Sequence, residues 1–190
     1  NNVIQQFQAM GTRGIMAPDR VRGSGDAIST DIVVRNNTLY FGPNSSGTGI
    51  TVKDEGSNHQ IISNVIYYAG NQSNFNCIDT NLAFTDFTDI DYNLCYFPDA
   101  VAAEWANGFA DLTAWQNASG FDIYSMVIDP GFKNINVGDF SATDEFSPVV
   151  NSGHLSLSSP AAINGLRDSS PDKGAYEFMF DDVIFQDVFE

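Results

Sequence analysis

Asn37-Thr38-Leu39-Tyr40-Phe41, Asn64-Val65-Ile66-Tyr67-Tyr68 and Asn93-Leu94-Cys95-Tyr96-Phe97 are three copies of one pattern, an Asn followed by an alternating apolar and aromatic run. A shorter copy, Asn2-Val3-Ile4, precedes them. The spacings between the Asn residues are 35, 27 and 29 (37−2, 64−37, 93−64). Self-similarity at a period of about 20–50 residues marks a solenoid, a propeller or another array. Each repeat also carries a second short apolar run, such as Ile50-Thr51-Val52 or Cys77-Ile78. A third precedes each following Asn: Ile32-Val33-Val34, Gln60-Ile61-Ile62 and Thr88-Asp89-Ile90. Three short strands per repeat, without the longer 3.6-residue periodicity of helices, predict an all-β solenoid.

Alternation then assigns faces. The second and fourth residues after each Asn point inward: Leu39 and Phe41, Ile66 and Tyr68, Cys95 and Phe97. Asn2, Asn37, Asn64 and Asn93 also turn inward and stack as an amide ladder, which satisfies groups that burial would otherwise orphan. Tyr40, Tyr67 and Tyr96 point outward as a column. That column is either a sugar-stacking platform or subunit contact, or packing beneath a covering loop. The first repeat departs from the rest, with Gln5 and Gln6 in place of aromatics.

Composition narrows the function classes. The net charge is −16, from 24 acidic and 8 basic residues. This argues against nucleic acid as a partner, whose binding needs Lys and Arg against phosphate. It also argues against a polyuronate chain unless a basic groove overrides the field. Calcium is compatible with so many carboxylates and with the oxygen-rich turns Asp79-Thr80-Asn81 and 139–144, although no EF-hand loop is present. No apolar run approaches the about 20 residues that span a bilayer. The chain does not begin with Met, and Asn1 lies inside the first repeat. The expectation is a fragment or a mature product whose first repeat stacks on upstream coils or on another copy. Cys77 and Cys95 are either one disulfide, if the protein is extracellular, or two buried thiols. The repeat alignment sets Cys95 beside Leu39 and Ile66, and Cys77 roughly beside Ile50.

After Pro98 the composition shifts. An Ala-rich stretch at Pro98–Trp105 predicts a short helix capped by Asp99, and Asp111–Gln116 predicts a second. Residues 129–177 read as loops with scattered strands. The apolar and acidic stretch from Phe178 to Glu190 reads as a final strand or an extension toward a partner.

From about Asp89 onward the chain resembles the C-terminal part of secreted bacterial right-handed parallel β-helix proteins of the pectate-lyase-like superfamily. Four pieces carry the resemblance: Asp91-Tyr92-Asn93-Leu94-Cys95-Tyr96; Leu112-x-x-Trp115-Gln116-x-x-x-Gly120-x-Asp122-x-x-Ser125; Asp129-Pro130-Gly131-Phe132; and Ser159-Pro160-Ala161-Ala162-Ile163-Asn164-Gly165 with Asp172-Lys173-Gly174-Ala175-Tyr176-Glu177. Lys173 stands where Ile is usual, and Ala162 is an insertion. The ending Ile184–Glu190 is similar to an export-associated terminal motif, with Val188 for Gly. The resemblance implies a right-handed parallel β-helix over residues 1–178, about four coils with closing coils and a loop-rich cap, then an extension or strand at 179–190. It implies export and leaves the chemistry open, because this fold hosts lyases, hydrolases and adhesins alike.

Candidate catalytic groups are sparse. A lyase would need a base beside a neutralised uronate, and Arg13, Arg20 and Arg22 are the one basic cluster, with Asp19 and Asp26 as ready ion-pair partners. His59 reads as a loop residue. A glycoside hydrolase needs carboxylates separated by about 5–9.5 Å, and Asp86, Asp89 and Asp91 lack a partner column. No catalytic residue is assigned. The sequence therefore points first to an extracellular structural or adhesive β-helix protein that self-assembles through its first repeat and its tail. The second expectation is a carbohydrate-active or glycan-binding module acting on extracellular polysaccharide.

Overall fold

A computed structural model describes residues 1–6, 12–18, 28–70, 75–98 and 103–179. Eleven strands lead the chain: β1 (Val3–Gln6), β2 (Thr12–Pro18), β3 (Val33–Arg35), β4 (Thr38–Phe41), β5 (Gly47–Lys53), β6 (His59–Ile62), β7 (Val65–Tyr68), β8 (Phe75–Asp79), β9 (Phe87–Asp91), β10 (Leu94–Tyr96) and β11 (Ala103–Ala106). Each of the first eight, β1 to β8, pairs in parallel with the strand three places later. The described chain is mostly β, and its three parallel sheets run β1-β4-β7-β10, β2-β5-β8-β11 and β3-β6-β9. Leu39, Ile66 and Cys95 share one register column, as the repeat alignment requires.

One apolar cluster joins all three sheets, with Leu39, Phe41, Ile66 and Tyr68 from the first, Ile50, Val52 and Ile78 from the second, and Val34, Ile61 and Ile90 from the third. β-Branched and aromatic residues suit such a pleated, closely packed surface.

The ladder has a direction. Asn2 Nδ2 donates to Asn37 Oδ1 (2.9 Å), Asn37 Nδ2 to Asn64 Oδ1 (2.9 Å), Asn64 Nδ2 to Asn93 Oδ1 (3.1 Å) and Asn93 Nδ2 to Asp122 Oδ1 (3.1 Å). The backbone N–H of Asn37 and of Asn64 donates to the same acceptor as its own side chain. Amides aligned head to tail polarise one another, and the series ends on a carboxylate. Asp122 is fully buried and also accepts from Ser125 Oγ, from Trp105 Nε1 (3.1 Å) and from Trp115 Nε1 (2.8 Å). Burial nevertheless pushes its pKa up to about 6, against the pull of these donors.

The residue before each of the last three ladder Asn residues lies in the left-handed region: Asn36 (φ 51°), Ser63 (φ 56°) and Tyr92 (φ 59°). This conformation turns the chain sharply between the third and first sheets.

Cys77 and Cys95 form a disulfide with a Cα–Cα distance of 6.3 Å. Cys77 lies in register with Gly49, between the pairs Thr48↔Asn76 and Ile50↔Ile78, and not with Ile50 as the repeat alignment placed it. The offset has a packing cause. A Cβ on Gly14 would strike the Leu39 side chain, and one on Gly49 would lie 2.9 Å from Ile66 Cδ1. The first two sheets approach closely along this diagonal, so a glycine faces a large aliphatic in two successive repeats. In the third the same two positions are Cys77 and Cys95, and a covalent bond fills the narrow gap.

Two helical expectations resolve differently. Helix α1 (Leu112–Ser119) forms, with the Asp111 carboxylate accepting from Ala114 N at 2.7 Å and Gly120 closing it at φ 76°. Of the helix expected at Pro98–Trp105, residues 99–102, with the cap Asp99, lie outside the described residues; its end, from Ala103, is corrected to strand, as part of β11 paired with β8. Trp105 falls in register beside Cys77, between Glu104↔Asn76 and Ala106↔Ile78, and burying that indole outweighs the helix propensity of alanine. His59 is likewise no loop residue; it is the buried first residue of β6.

The C-terminal segment straps the outside of the turns. Gly174 N donates to Ser63 O (2.8 Å), Ala175 N to Thr38 Oγ1 (3.0 Å) and Asn36 Nδ2 to Asp172 O (3.2 Å). Arg167 organises the strap. It donates to the carbonyls of Asp172, Gly174 and Tyr176 and pairs with Glu177 at 2.7 Å, both side chains being 2% exposed. Residues 180–190, expected as a strand or extension, lie outside the described residues, as do residues 7–11 of the first repeat.

Candidate functional site

Alternation sets Tyr40, Tyr67 and Tyr96 in one register column on the outer face of the first sheet. Their rings are close, with centroids 5.6 Å apart for Tyr40–Tyr67 and 5.2 Å for Tyr67–Tyr96. Of the two arrangements expected for the column, packing beneath a covering segment fits Tyr40 and Tyr67. The antiparallel pair β12 (Phe132–Asn134) and β13 (Asp139–Ala142) folds over it. Phe140 packs on Tyr40 at 5.5 Å, and Phe132 stacks on Tyr67 at 6.4 Å and 29°. Tyr40 is left 4% exposed, and burial raises its phenol pKa. The Asp129-Pro130-Gly131-Phe132 turn thus delivers a hydrophobic lid, and Val65, Leu94, Ala142, Val149 and Val150 form a second core beneath it.

What remains is a cleft of about 230 Å³ against Tyr67, walled by Phe132 and Ile135 and rimmed by Asp129, Lys133, Asn134 and Asn136. Aromatic walls and a few polar rim groups are what a small polar ring needs for apolar contact and hydroxyl hydrogen bonds. Part of the rim is engaged within the loop, since Asp129 Oδ1 accepts from Gly131 N and Asn134 Oδ1 from Asn136 N.

The candidate catalytic groups stay dispersed. Asp89 and Asp91 share the outer face of β9, but in register with them stand Gln60 with Val33 and Ile62 with Arg35, not a second carboxylate. Burial, with the neighbouring Asp91 charge, raises the pKa of Asp89. Lys53 pairs with Asp79 at 2.5 Å. Arg20, Arg22, Asp19 and Asp26 lie outside the described residues, so the expected basic cluster has no geometry here. Among the described residues no three His, Cys, Asp or Glu side chains are grouped to hold a metal. In the two turns considered for calcium, Asp79 is paired with Lys53, and Asp139 Oδ1 accepts from Ser141 Oγ at 2.6 Å and from Ser141 N. No described helix is long and apolar enough to cross a membrane.

Sequence reasoning missed the roles of Asp122 and Arg167. Both lie within or beside the pieces that carry the family resemblance, and that was the available signal. Asp122 ends the ladder, and Arg167 ties the segment containing Lys173-Gly174-Ala175 to the turns. Comparison with protein-family models, with curated proteins and with solved structures yields no match.

Proposed function

We propose that the three parallel sheets are the faces of a right-handed parallel β-helix, and that the chain belongs to a secreted protein with a structural or adhesive role. The observation that carries this reading is the Cys77–Cys95 disulfide across the interior. Such bonds persist in oxidising, extracellular surroundings, and this one staples consecutive repeats. The pairing of β1 to β8 each with the strand three places later is the pattern a solenoid produces, and the four motif pieces agree with it. Right-handedness follows the general preference of parallel crossovers. Nucleic acid is disfavoured as a partner by the −16 charge.

Self-assembly or stacking on further coils would use the outer edges of β1 and β2, which pair on one side only among the described residues. Unpaired strand edges are templates for another chain. The test is sedimentation velocity of the secreted, oxidised protein over a wide concentration range. Concentration-dependent association supports self-assembly, and a monomer at every concentration removes it.

The Tyr67 cleft favours a second reading, a non-catalytic contact with extracellular polysaccharide. A glycan array run with and without calcium, comparing wild type with Tyr67→Ala, tests it. Binding that survives the substitution places the contact elsewhere.

A further inference from the structure

Asn36, Ser63 and Tyr92 hold the same left-handed turn position in three successive repeats. Asn36 and Ser63 are small, fully buried and hydrogen-bonded to the strap. Tyr92 is neither small nor fully buried. A bulky residue at positive φ is a strained choice, and retained strain is a pointer to function.

The surroundings of Tyr92 say what that function is. Tyr124 stacks on it with centroids 5.0 Å apart and planes 29° apart, and His154 meets it edge-on at 4.8 Å. Tyr124 is 60% exposed, so it presents an open aromatic surface. It is held rigidly: its N–H donates to Asp91 Oδ1 at 2.7 Å, and its carbonyl accepts from Lys173 Nζ at 3.3 Å. The Lys173 ammonium lies 5.9 Å from the Tyr92 ring centroid and its residue is 2% exposed, so it braces the pair from within. Asp91 stands beside the pair, its Oδ1 also accepting from Tyr92 N at 2.7 Å.

We propose that Tyr124, backed by Tyr92 and bordered by Asp91 and His154, is a binding platform for a neutral saccharide. A sugar ring places its apolar face on the Tyr124 ring. The Asp91 carboxylate accepts a sugar hydroxyl through its second oxygen and repels uronate or sulfated chains. This site is separate from the Tyr67 cleft and does not depend on it.

The test is calorimetric titration of the intact protein with cellotetraose and mannotetraose as neutral probes and tetragalacturonate as the acidic one. A neutral probe binds and the acidic one does not. Tyr124→Ala weakens binding about tenfold or more, and Tyr67→Ala leaves it unchanged. Tyr92→Asn, which places at this position the residue found at position 36, lowers the affinity while raising the urea midpoint. A Tyr92 retained only for packing would lose stability on that change. Failure of both neutral probes to bind, binding indifferent to Tyr124→Ala, or binding lost only with Tyr67→Ala overturns the proposal. The last outcome supports the cleft instead. A lower midpoint for Tyr92→Asn also overturns it.

Discussion

Replacing Arg167 by Met tests whether the strap is held by its buried guanidinium. Met keeps an apolar stem of similar reach while removing every donor. The structure assigns Arg167 three carbonyl acceptors, at Asp172 (3.0 Å), Tyr176 (3.1 Å) and Gly174 (2.5 Å), beside the Glu177 carboxylate at 2.7 Å. With the charge removed, Glu177 keeps only the backbone donors Asp168 N and Asp172 N, at 3.2 and 3.1 Å. Breaking a buried ion pair from one side costs about 3–5 kcal/mol, a large part of the about 5–15 kcal/mol that keeps a domain folded. Urea unfolding measures the loss, and hydrogen exchange at Gly174 and Ala175 locates it, since these amides bond Ser63 O and Thr38 Oγ1. Adding Glu177→Gln removes the orphaned charge, so the double variant is more stable than the sum of the two single losses predicts. A loss below about 1 kcal/mol with unchanged protection at those amides refutes the reasoning.

The ladder terminus makes stability depend on pH. Asp122 titrates near 6 when folded and near 3.8 when unfolded, so the folded state binds the extra proton between those values. Its contribution, about 3 kcal/mol at 1.36 kcal/mol per pKa unit, is present below the unfolded value and is lost as pH rises through about 6. Burial lowers the His59 pKa and acts in the opposite direction, so the quantity to measure is the stability of wild type minus that of Asp122→Asn. It should fall between pH 4 and pH 6, and a flat difference contradicts the assignment. Reducing the disulfide, whose cysteines are 18 residues apart, should cost about 3 kcal/mol by the chain-entropy relation, read as a lower urea midpoint in dithiothreitol. Gly49→Ala should lose about 1–3 kcal/mol through overpacking, because its Cβ would lie 2.6 Å from the Cys77 carbonyl oxygen; an unchanged thermal midpoint would mean that the diagonal is not tight.

The repeats were legible because side-chain direction in a strand has a period of two and the ladder demands one residue type at one place. The register Leu39–Ile66–Cys95 and the donor–acceptor chain through Asn2, Asn37, Asn64 and Asn93 therefore follow from counting. Counting failed at Cys77 by one residue, because glycine has no side chain to register in an apolar pattern, and Gly49 is the residue that sets the spacing. It failed at Ala103–Ala106, where local propensity favours helix and a distant pairing with β8 prevails. For the outer tyrosines, alternation gives the direction correctly and says nothing about what covers them; Phe132 and Phe140 come from a segment more than thirty residues downstream of Tyr96 (132−96 = 36).

By itself the sequence determined the repeating strands, the inward amide column and the acidic character, since these depend on local chain geometry and composition. Only the tertiary structure decided that the carboxylate of Asp122 ends the ladder, that Arg167 ties down the strap and that Tyr124 rather than Tyr40 is open to solvent. Those outcomes depend on which distant segments meet, and the energy of burying a charge or an aromatic ring is set by neighbours that no local pattern names.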